Sequence, residues 1–324
     1  MRRKKSRPKS SAPVSSLEKG HASAFEKGWD SLHSPSVPRP TVSGRWLLTA
    51  AGLALLGAAI CAWGALCLLF WQGSWQLLYH PTSAVTRTPA SVGLRFDSIG
   101  FAATEAGEPR LKGWWISAGQ DARNSRYTVL YLHGQNGNLG DTVDAVAALH
   151  AVGVNVFAFD YRGYGQSQFA RPSEAHWRED AESAIEYLTD TRHIPAASIV
   201  LFGHGLGANL ALEIGADHGE LAGVVLESPL EAPMDAIFRD ARARLVPTRL
   251  LVHDRFDSSS AAALRLPSLW FLQTAPTGQT RPSERPEAFQ KVPAGKMLVW
   301  LTPSSGAEND MGDSLSRWLD EFPH

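Results

Sequence analysis

The chain has 324 residues, of which 44% are hydrophobic and 19% charged, and its formal net charge at pH 7 is −1. This balance is that of a globular protein and excludes the fibrous and wholly disordered classes. The charge is divided unevenly, because ten basic and three acidic residues lie up to Arg45, whereas the remainder has 21 basic and 29 acidic residues.

Residues 1–45 form a basic tail with many Ser and Pro and few apolar side chains, a composition that predicts disorder. The run from Arg2 to Lys5 is a pattern also found in tails that bind nucleic acid. Beside a membrane span it is better explained as a topology determinant in contact with anionic lipid, so we expect no nucleic-acid partner.

An uncharged segment of 26 residues follows, from Trp46 to Trp71. As a helix it would extend roughly 39 Å, more than the roughly 30 Å of a bilayer's hydrocarbon core. A cleaved signal peptide is the alternative, but the leader and the apolar run are both too long for one. We therefore predict a transmembrane helix at 46–71 that is retained as a signal anchor.

Basic residues flank this helix unequally. Lys27, Arg39 and Arg45 precede it within about twenty residues, whereas Arg87 alone follows it at that distance. Because the more basic flank stays in the cytoplasm, we predict a single-pass protein with a cytoplasmic N-terminus. Its body would lie on the far side, in the periplasm, a lumen or the extracellular space, with the lipid bilayer as one partner.

From residue 76 to residue 324, apolar runs alternate with helical patterns, which predicts one α/β domain with a mostly parallel central sheet and helices on both faces. The predicted strands are Leu94–Ala102, Leu111–Ile116, Tyr127–Leu132, Val154–Phe159, Ile199–Phe202, Gly223–Leu226, Ser268–Gln273 and Met297–Leu301, the first two as an antiparallel pair. The predicted helices are Asp141–Ala151, Ala175–Asp190, Ala208–Asp217, Ala232–Arg244 and Met311–Phe322. A small cap is expected at about 231–265.

The most informative segment is Ser198–Leu212, which indicates a buried strand, a turn framed by glycines and the start of a helix. Hydrolases place G-x-S-x-G in this context, with the serine as nucleophile at the turn. This chain has G-H-G-L-G, so Gly205 stands at the serine position. Glycine also removes a backbone strain of about 1–3 kcal/mol that such a turn imposes on other residues.

Four further segments carry a family resemblance, and they are Leu132–Asn138, Phe159–Ser167, Leu226–Leu230 and Asp254–Ser258. As an ordered set they resemble the serine-aminopeptidase-like α/β-hydrolases, and in particular the membrane-anchored branch related to the bud-emergence and abhydrolase-domain proteins. The resemblance covers about residues 75–322. It implies the α/β-hydrolase fold and a serine hydrolase that acts on lipid esters, thioesters or peptides, with an Asp after the seventh strand and a His after the eighth.

The resemblance also identifies the remaining triad positions. Thr277 stands at the Asp position after the seventh strand, and Glu308 at the His position after the eighth. No histidine occurs between His253 and His324, so the usual general base is missing however the alignment is shifted. We therefore predict a degenerate triad at Gly205, Thr277 and Glu308.

An oxyanion hole needs backbone N–H groups rather than particular side chains. By the resemblance, its candidate residues here are Gly134, Gln135 and Leu206. The pocket is therefore expected to persist after loss of the catalytic groups.

His204 and Ser228 are weaker candidates for a replacement base and a displaced nucleophile. His133 is expected to order its loop by hydrogen bonding, and Asp254, Arg255 and Asp257 to form an ion network under the cap. Cys61 and Cys67 lie in the predicted span, so the body has no thiolate ligand or disulfide. The His, Asp and Glu spacing matches no metal site, and we expect no cofactor.

Three functional hypotheses follow. The first, which we favour, is a membrane-anchored pseudoenzyme that binds a lipid or acyl-type ligand, or a protein partner, without hydrolysing it. The second is an unconventional ester or peptide hydrolase in which Glu308 activates water beside the retained oxyanion hole. The third is a structural partner in a membrane assembly.

Overall fold

A computed structural model describes residues 42–119, 121–256, 258–273, 285–293, 295–301 and 307–321, without the side chains of 258 and 307–310. Residues 1–41 of the basic tail, for which the sequence predicts disorder, lie outside this description. The chain divides into two units between Ile60 and Cys61.

Helix α1 runs from Gly44 to Gly73 and contains the whole predicted 46–71 segment. In the first unit, every residue from Ala51 to Ile60 is exposed although none is charged. By length and composition, the helical segment Gly44–Leu77 is able to cross a membrane, with a mean hydropathy of 2.4 over an 18-residue window. In the second unit the helix is part of a folded core, because Phe70 is only 2% exposed.

The described part of the body is built on an eight-stranded sheet with the order β10-β9-β8-β7-β4-β6-β3-β2. Strands β2 and β3 pair antiparallel, as do β3 and β6, and all other neighbours are parallel. The strands are β2 (Asp97–Ala103), β3 (Pro109–Ile116), β4 (Thr128–Leu132), β6 (Asn155–Asp160), β7 (Ile199–His204), β8 (Gly223–Glu227), β9 (Ser268–Gln273) and β10 (Lys296–Leu301). The predicted fold class is confirmed.

The central strands form where apolar residues run without interruption, since both of their faces are covered. All five residues of β4 are buried, and so are the first five of β7. Helices α2 (Val143–Ala151) and α8 (Ala307–Glu321) contribute to the core on one face, which includes Leu149 and Trp318. Helices α3 (Glu174–Glu186) and α4 (Leu206–Asp217) contribute to the core on the other face, with Trp177 and Leu210.

One short parallel pair was not predicted. Strand β1 (His80–Pro81) pairs with β5 (Asn136–Gly137), directly after the loop that follows β4. A two-residue strand leaves no periodic pattern in a sequence, so only the folded chain reveals it. Its effect is to fix the segment that leaves α1 beside the loop at Gln135.

The predicted helix Ala232–Arg244 is wrong as a continuous element. The chain forms α5 (Asp235–Phe238), then a 3₁₀ turn at Ala241–Arg244, then α6 (Thr248–Leu251), and α7 (Glu287–Lys291) follows after β9. The break lies at Asp240, whose backbone is extended and whose carboxylate accepts the Arg242 N–H at 2.8 Å. Such a side-chain bond competes with the helical one.

Glycines allow the turn after β7 to approach β4 very closely. A Cβ at Gly207 would lie 2.2 Å from the carbonyl oxygen of Leu132 and 2.5 Å from that of His133. Both obstacles are backbone, so no side chain can move aside. The close approach therefore requires glycine at this position.

We expect Gly207→Ala to destabilise the body by about 3 kcal/mol or more, because the methyl group overlaps two backbone oxygens. For a domain of this size that corresponds to a fall in Tm of roughly 6–12 °C. The measurement is thermal unfolding of the full chain in detergent. Gly219→Ala is the matched control, since a Cβ there meets nothing within 4 Å, and its Tm should be unchanged. Equal melting of both variants would contradict the packing argument.

Candidate functional site

The turn between β7 and α4 presents Gly205 at the carboxyl end of the sheet. Its backbone has φ 57° and ψ −123°, a conformation that side-chain-bearing residues rarely adopt. The Gly205 N–H donates to the carbonyl of Glu227 at 3.0 Å, and the Ala208 N–H donates to the Gly205 carbonyl at 3.0 Å. The sharp turn is thus held from both sides, although it carries no side chain at its apex.

Gln135 lies against this turn and has two separate roles. Its backbone carbonyl accepts the His80 N–H and the Tyr164 hydroxyl, each at 2.9 Å. Its side-chain oxygen Oε1 accepts the Leu206 N–H at 3.3 Å. Oε1 would also lie 3.0 Å from a Cβ built on Gly205.

The structure therefore brings Gly134, Gln135, Gly205 and Leu206 together, as the family resemblance implied. The Leu206 N–H, a candidate oxyanion donor, already has an acceptor within the protein. Because an amide nitrogen cannot accept this hydrogen bond, it is the carbonyl end of Gln135 that faces the N–H. The sequence offered Gln135 as a source of a backbone amide and gave no signal for this side-chain contact.

His204 is the histidine next to Gly205 in the chain, and it has a carboxylate partner. Its Nδ1 lies 3.0 Å from Oε2 of Glu227 at the end of β8. The hydrogen bond to Glu227 raises the pKa of His204. The imidazole lies over Gly134, where a built Cβ would be 3.2 Å from Cδ2. Glu227 had not been identified from the sequence, because its partner belongs to a different strand.

His133 is fully enclosed beneath the site. Its Nδ1 lies 2.8 Å from the Gly134 carbonyl, so Nδ1 carries the proton and donates it. This is the loop-ordering bond that the sequence suggested. Nε2 is buried without a hydrogen-bond partner in the described residues and lies 3.7 Å from Oδ1 of Asp160.

Burial alters the titration of this pair. It lowers the pKa of His133 to about 4 and raises the pKa of Asp160 to about 7, despite the hydrogen bond that Asp160 accepts from the Leu139 N–H at 2.8 Å. Between these values both groups are neutral. His133 therefore cannot act as a cationic group near neutral pH, and its role is structural.

Two of the predicted triad positions lie wholly or partly outside the described residues. Thr277 lies outside the described residues. Glu308 is in the first turn of α8, and its side chain is likewise outside them. Ser228 follows β8 with φ 51°, and its Oγ is buried without a hydrogen-bond partner among the described residues.

A cavity of about 430 Å³ is lined in part by residues 229–234, where the sequence predicts the start of a cap. Its lining includes Leu230, Met234, Trp270, Arg255 and Lys291, and Gly205 is not part of it. Leu230 is held in place by two hydrogen bonds to the side chain of Asn209 in α4, at 2.8 and 2.9 Å.

The described members of the expected ion network under the predicted cap take part in hydrogen bonds. The carboxylate of Asp254 accepts the Tyr79 hydroxyl at 2.8 Å and the Glu174 N–H at 3.1 Å. Glu174 in turn accepts the N–H groups of Arg255 and Phe256. Asp257 lies outside the described residues. Among those residues, no group of three His, Cys, Asp or Glu side chains is placed to hold a metal ion.

Comparison with known proteins agrees with this architecture. Residues 123–303, more than half of the chain, match the family model described as Serine aminopeptidase, S33. The uncharacterized protein YfhR of Escherichia coli K12 is 36% identical over 135 residues, which are 41% of this chain and 46% of YfhR. Protein bem46 of Schizosaccharomyces pombe is 32% identical over 119 residues, 36% of this chain and 40% of bem46.

The chain spans about half the length of the first curated relatives that it matches. Among solved structures, an esterase of Pyrococcus furiosus superposes with a TM-score of 0.58 at 18% identity, over 76% of this chain and 99% of the esterase. At that identity the likeness shows the fold.

The buried Asp160 gives a prediction for the pH dependence of stability. A carboxyl whose pKa is higher in the folded than in the unfolded state contributes stability below about pH 4, and this is lost as the pH rises to about 7. Asp160→Asn keeps an acceptor for the Leu139 N–H but does not ionise. We therefore expect the unfolding free energy of the variant, relative to wild type, to rise between pH 4 and 7 by up to about 1.4 kcal/mol per pH unit.

The measurement is thermal unfolding of both chains across this pH range. Asp144→Asn is the control, because this carboxylate is exposed, pairs with Arg87 at 2.8 Å, and has a pKa below its usual value. Its stability difference from wild type should stay constant between pH 4 and 7. A constant difference for Asp160→Asn as well would show that Asp160 ionises normally.

Proposed function

Because the chain belongs to the serine aminopeptidase family of α/β-hydrolases, we propose that it is a membrane-anchored pseudoenzyme that binds a lipid or acyl-type ligand without hydrolysing it. The observation that carries the proposal is Gly205, which holds the backbone geometry of a nucleophile turn without a nucleophile. A protein partner is the alternative occupant of the same site.

The sequence supports the loss of catalysis at more than one position. With Gly205 in place of the serine and Glu308 in place of the histidine, neither the attacking group nor the usual base is present. In serine proteases that lack their triad, substrate binding and the oxyanion hole alone still accelerate hydrolysis about 10³–10⁴-fold over the reaction in water. That is far below an enzymatic rate.

The contact of Gln135 with Leu206 supports it further. A substrate carbonyl entering the site has to displace Oε1 of Gln135 from the Leu206 N–H before it is polarised. The displaced amide then needs a new partner, which costs part of the binding energy. This arrangement favours a ligand that is held in the cavity lined by Leu230 and Met234 over one whose carbonyl is activated at the Leu206 N–H.

Helix α1 supports the anchor. Its 30 residues exceed the roughly 20 needed to span a bilayer, and the apolar surface of its first half is exposed. With the basic flank in the cytoplasm, the hydrolase-fold body would lie on the opposite side of the membrane. The body would therefore lie close to ligands that reside in the bilayer.

The cavity at the cap suits an amphiphilic ligand. Leu230, Met234 and Trp270 supply apolar surface, and the same cavity is lined by charges of both signs, Arg255 and Lys291 beside Glu231 and Glu287. An acyl chain with a polar head group combines the two chemistries.

The first test uses a fluorophosphonate probe, which labels activated serines. We expect the full chain in detergent to remain unlabelled by intact mass, beside an active serine hydrolase that is fully labelled. The Gly205→Ser variant should also remain essentially unlabelled, because no histidine or acid has been restored. Its serine would have to move Oε1 of Gln135, which lies 3.0 Å from the new Cβ.

Peptide mapping decides the other outcomes. Stoichiometric labelling of wild type at a defined residue, with Ser228 as the first position to inspect, would overturn the proposal. Ser228→Ala is the control that would abolish such labelling. Ester hydrolysis by wild type that is lost in Glu308→Gln, without labelling, would establish water activation by Glu308 instead.

A second test concerns the oxyanion donor. We expect Gln135→Ala to free the Leu206 N–H and to tighten binding of a carboxylate probe such as dodecanoate by about tenfold, since hydrogen bonds to charged groups contribute about 1.5–3 kcal/mol. Gln135→Glu is the matched control. It keeps the side-chain length but places a negative charge at the donor, so it should weaken binding. Equal affinities by calorimetry would show that ligands do not reach this N–H.

A further inference from the structure

Three large hydrophobic side chains on the surface of the body are strongly exposed to solvent. Phe169, in the loop after β6, is 95% exposed, and Leu245 and Leu250 of the cap are 62% and 75% exposed. Single exposed hydrophobic residues are ordinary on soluble proteins. These three differ because they lie on two segments, the loop after β6 and the cap, and each of these segments contacts the end of α1.

The cap contacts α1 directly. The indole Nε1 of Trp63 donates a hydrogen bond to the backbone carbonyl of Leu245 at 2.9 Å. Helix α5 of the cap contacts the turn Ser74–Leu77, which follows α1. The cap therefore lies along the helix rather than away from it.

The loop after β6 contacts the same helix further along. The guanidinium of Arg171 donates to the carbonyl of Trp71 at 2.7 Å and lies 5.6 Å from the centre of its ring. Phe169 precedes Arg171 by two residues. We call Trp71, Phe169, Leu245 and Leu250 the apolar rim.

The packing of α1 sets where the bilayer ends. Phe70 is buried in the body, and Leu66 and Cys67 pack against the same core, so this stretch cannot be surrounded by lipid. The lipid-surrounded part therefore ends near Trp63. From Trp46 to Trp63 a helix rises roughly 26 Å, close to the roughly 30 Å hydrocarbon core, and both tryptophans would lie at the interfaces that this residue prefers.

Because Trp63 is bonded to Leu245, the Leu245 end of the rim would then lie at the depth of the interface, whereas Trp71, eight residues further along α1, would lie about 12 Å beyond it. Between Trp63 and Trp71, Leu68 and Leu69 are 59% and 65% exposed. If the body stood clear of the membrane, all of this apolar surface would face water. Lowering the body into the interface buries it.

The charge of the cap fits a lipid surface. Residues 231–265 contain six arginines, four aspartates and one glutamate, a net charge of +1, and within them Asp235–Leu251 has a net charge of +2, although the chain beyond Arg45 is acidic. Arg244 and Arg249 are exposed, and Arg249 lies 5.9 Å from the ring of Phe238. Arginines beside apolar side chains at a membrane interface reach lipid phosphates while the apolar groups enter the acyl region.

We propose that the apolar rim is a second membrane contact, which seats the cap in the interface of an anionic bilayer beside α1. The inference rests on the anchor in the proposed function. It places the cap, and with it the cavity lined by Leu230 and Met234, at the lipid surface.

The test measures the depth of spin labels in the full chain. Cys61 and Cys67 are replaced by alanine, and single cysteines are introduced as Leu250→Cys and Phe169→Cys. Ala197→Cys is the control on the body, because Ala197 is exposed before β7, at the opposite end of the sheet from the cap. Leu55→Cys reports on α1 itself. The labelled chains are placed in nanodiscs of zwitterionic and anionic phospholipid, and collision with oxygen is compared with collision with a water-soluble nickel chelate.

We expect the label at 250 to shift toward oxygen, as the label at 55 does, and the label at 169 to shift less because it lies near Trp71, about 12 Å further along α1, while the label at 197 stays accessible to nickel. Accessibility to nickel at 250 and 169, with 55 in the membrane, would overturn the second contact and leave the anchor intact. Accessibility to nickel at 55 would overturn both. In the variant Arg244→Glu with Arg249→Glu, the label at 250 should move toward water, whereas an unchanged depth would exclude the electrostatic part of the proposal.

Discussion

The close approach of the β7–α4 turn to the end of β4 is the constraint on which the site depends. At Gly207 a single methyl group would overlap two carbonyl oxygens. The same approach places the Leu206 N–H within reach of Gln135, and Gly205 over the loop that follows β4. The backbone of the site is therefore fixed by packing and not by the chemistry of any side chain at its apex. The geometry of the turn therefore does not require a side chain at its apex.

What surrounds the turn also depends on burial. His133 and Asp160 are enclosed to such a degree that both are neutral over a range of pH, and His133 serves to order the loop at Gly134. The partly exposed His204 is the titratable group closest to Gly205 in the chain, and Glu227 holds its ring. This polar support holds the backbone around a turn that has no side chain at its apex. It does not by itself supply a nucleophile.

The apolar helix and the body are linked by shared packing in the second unit. Phe70 belongs to the same core as Trp177 and Leu210, so the end of the helix is rigidly joined to the sheet and its covering helices. The position of the cap beside Trp63 follows from this rigid joint, and the membrane proposals for the rim and the cavity follow from that position.

Much of this protein could be predicted from its sequence, because local patterns determine it. The strands after Tyr127 are uninterrupted apolar runs and form at or within a residue or two of the predicted ends. The G-H-G-L-G segment predicted the turn, and its glycines leave room for another backbone to approach closely. The family also followed from an ordered set of short segments.

The broken helix at Asp240 could not be predicted, since one side-chain hydrogen bond there outweighs the helical pattern. Gln135 on the Leu206 N–H, Glu227 on His204 and Trp63 on Leu245 were likewise decided only by tertiary structure. Each contact joins residues from separate elements, and a sequence encodes the period of an element but not which side chains meet between elements.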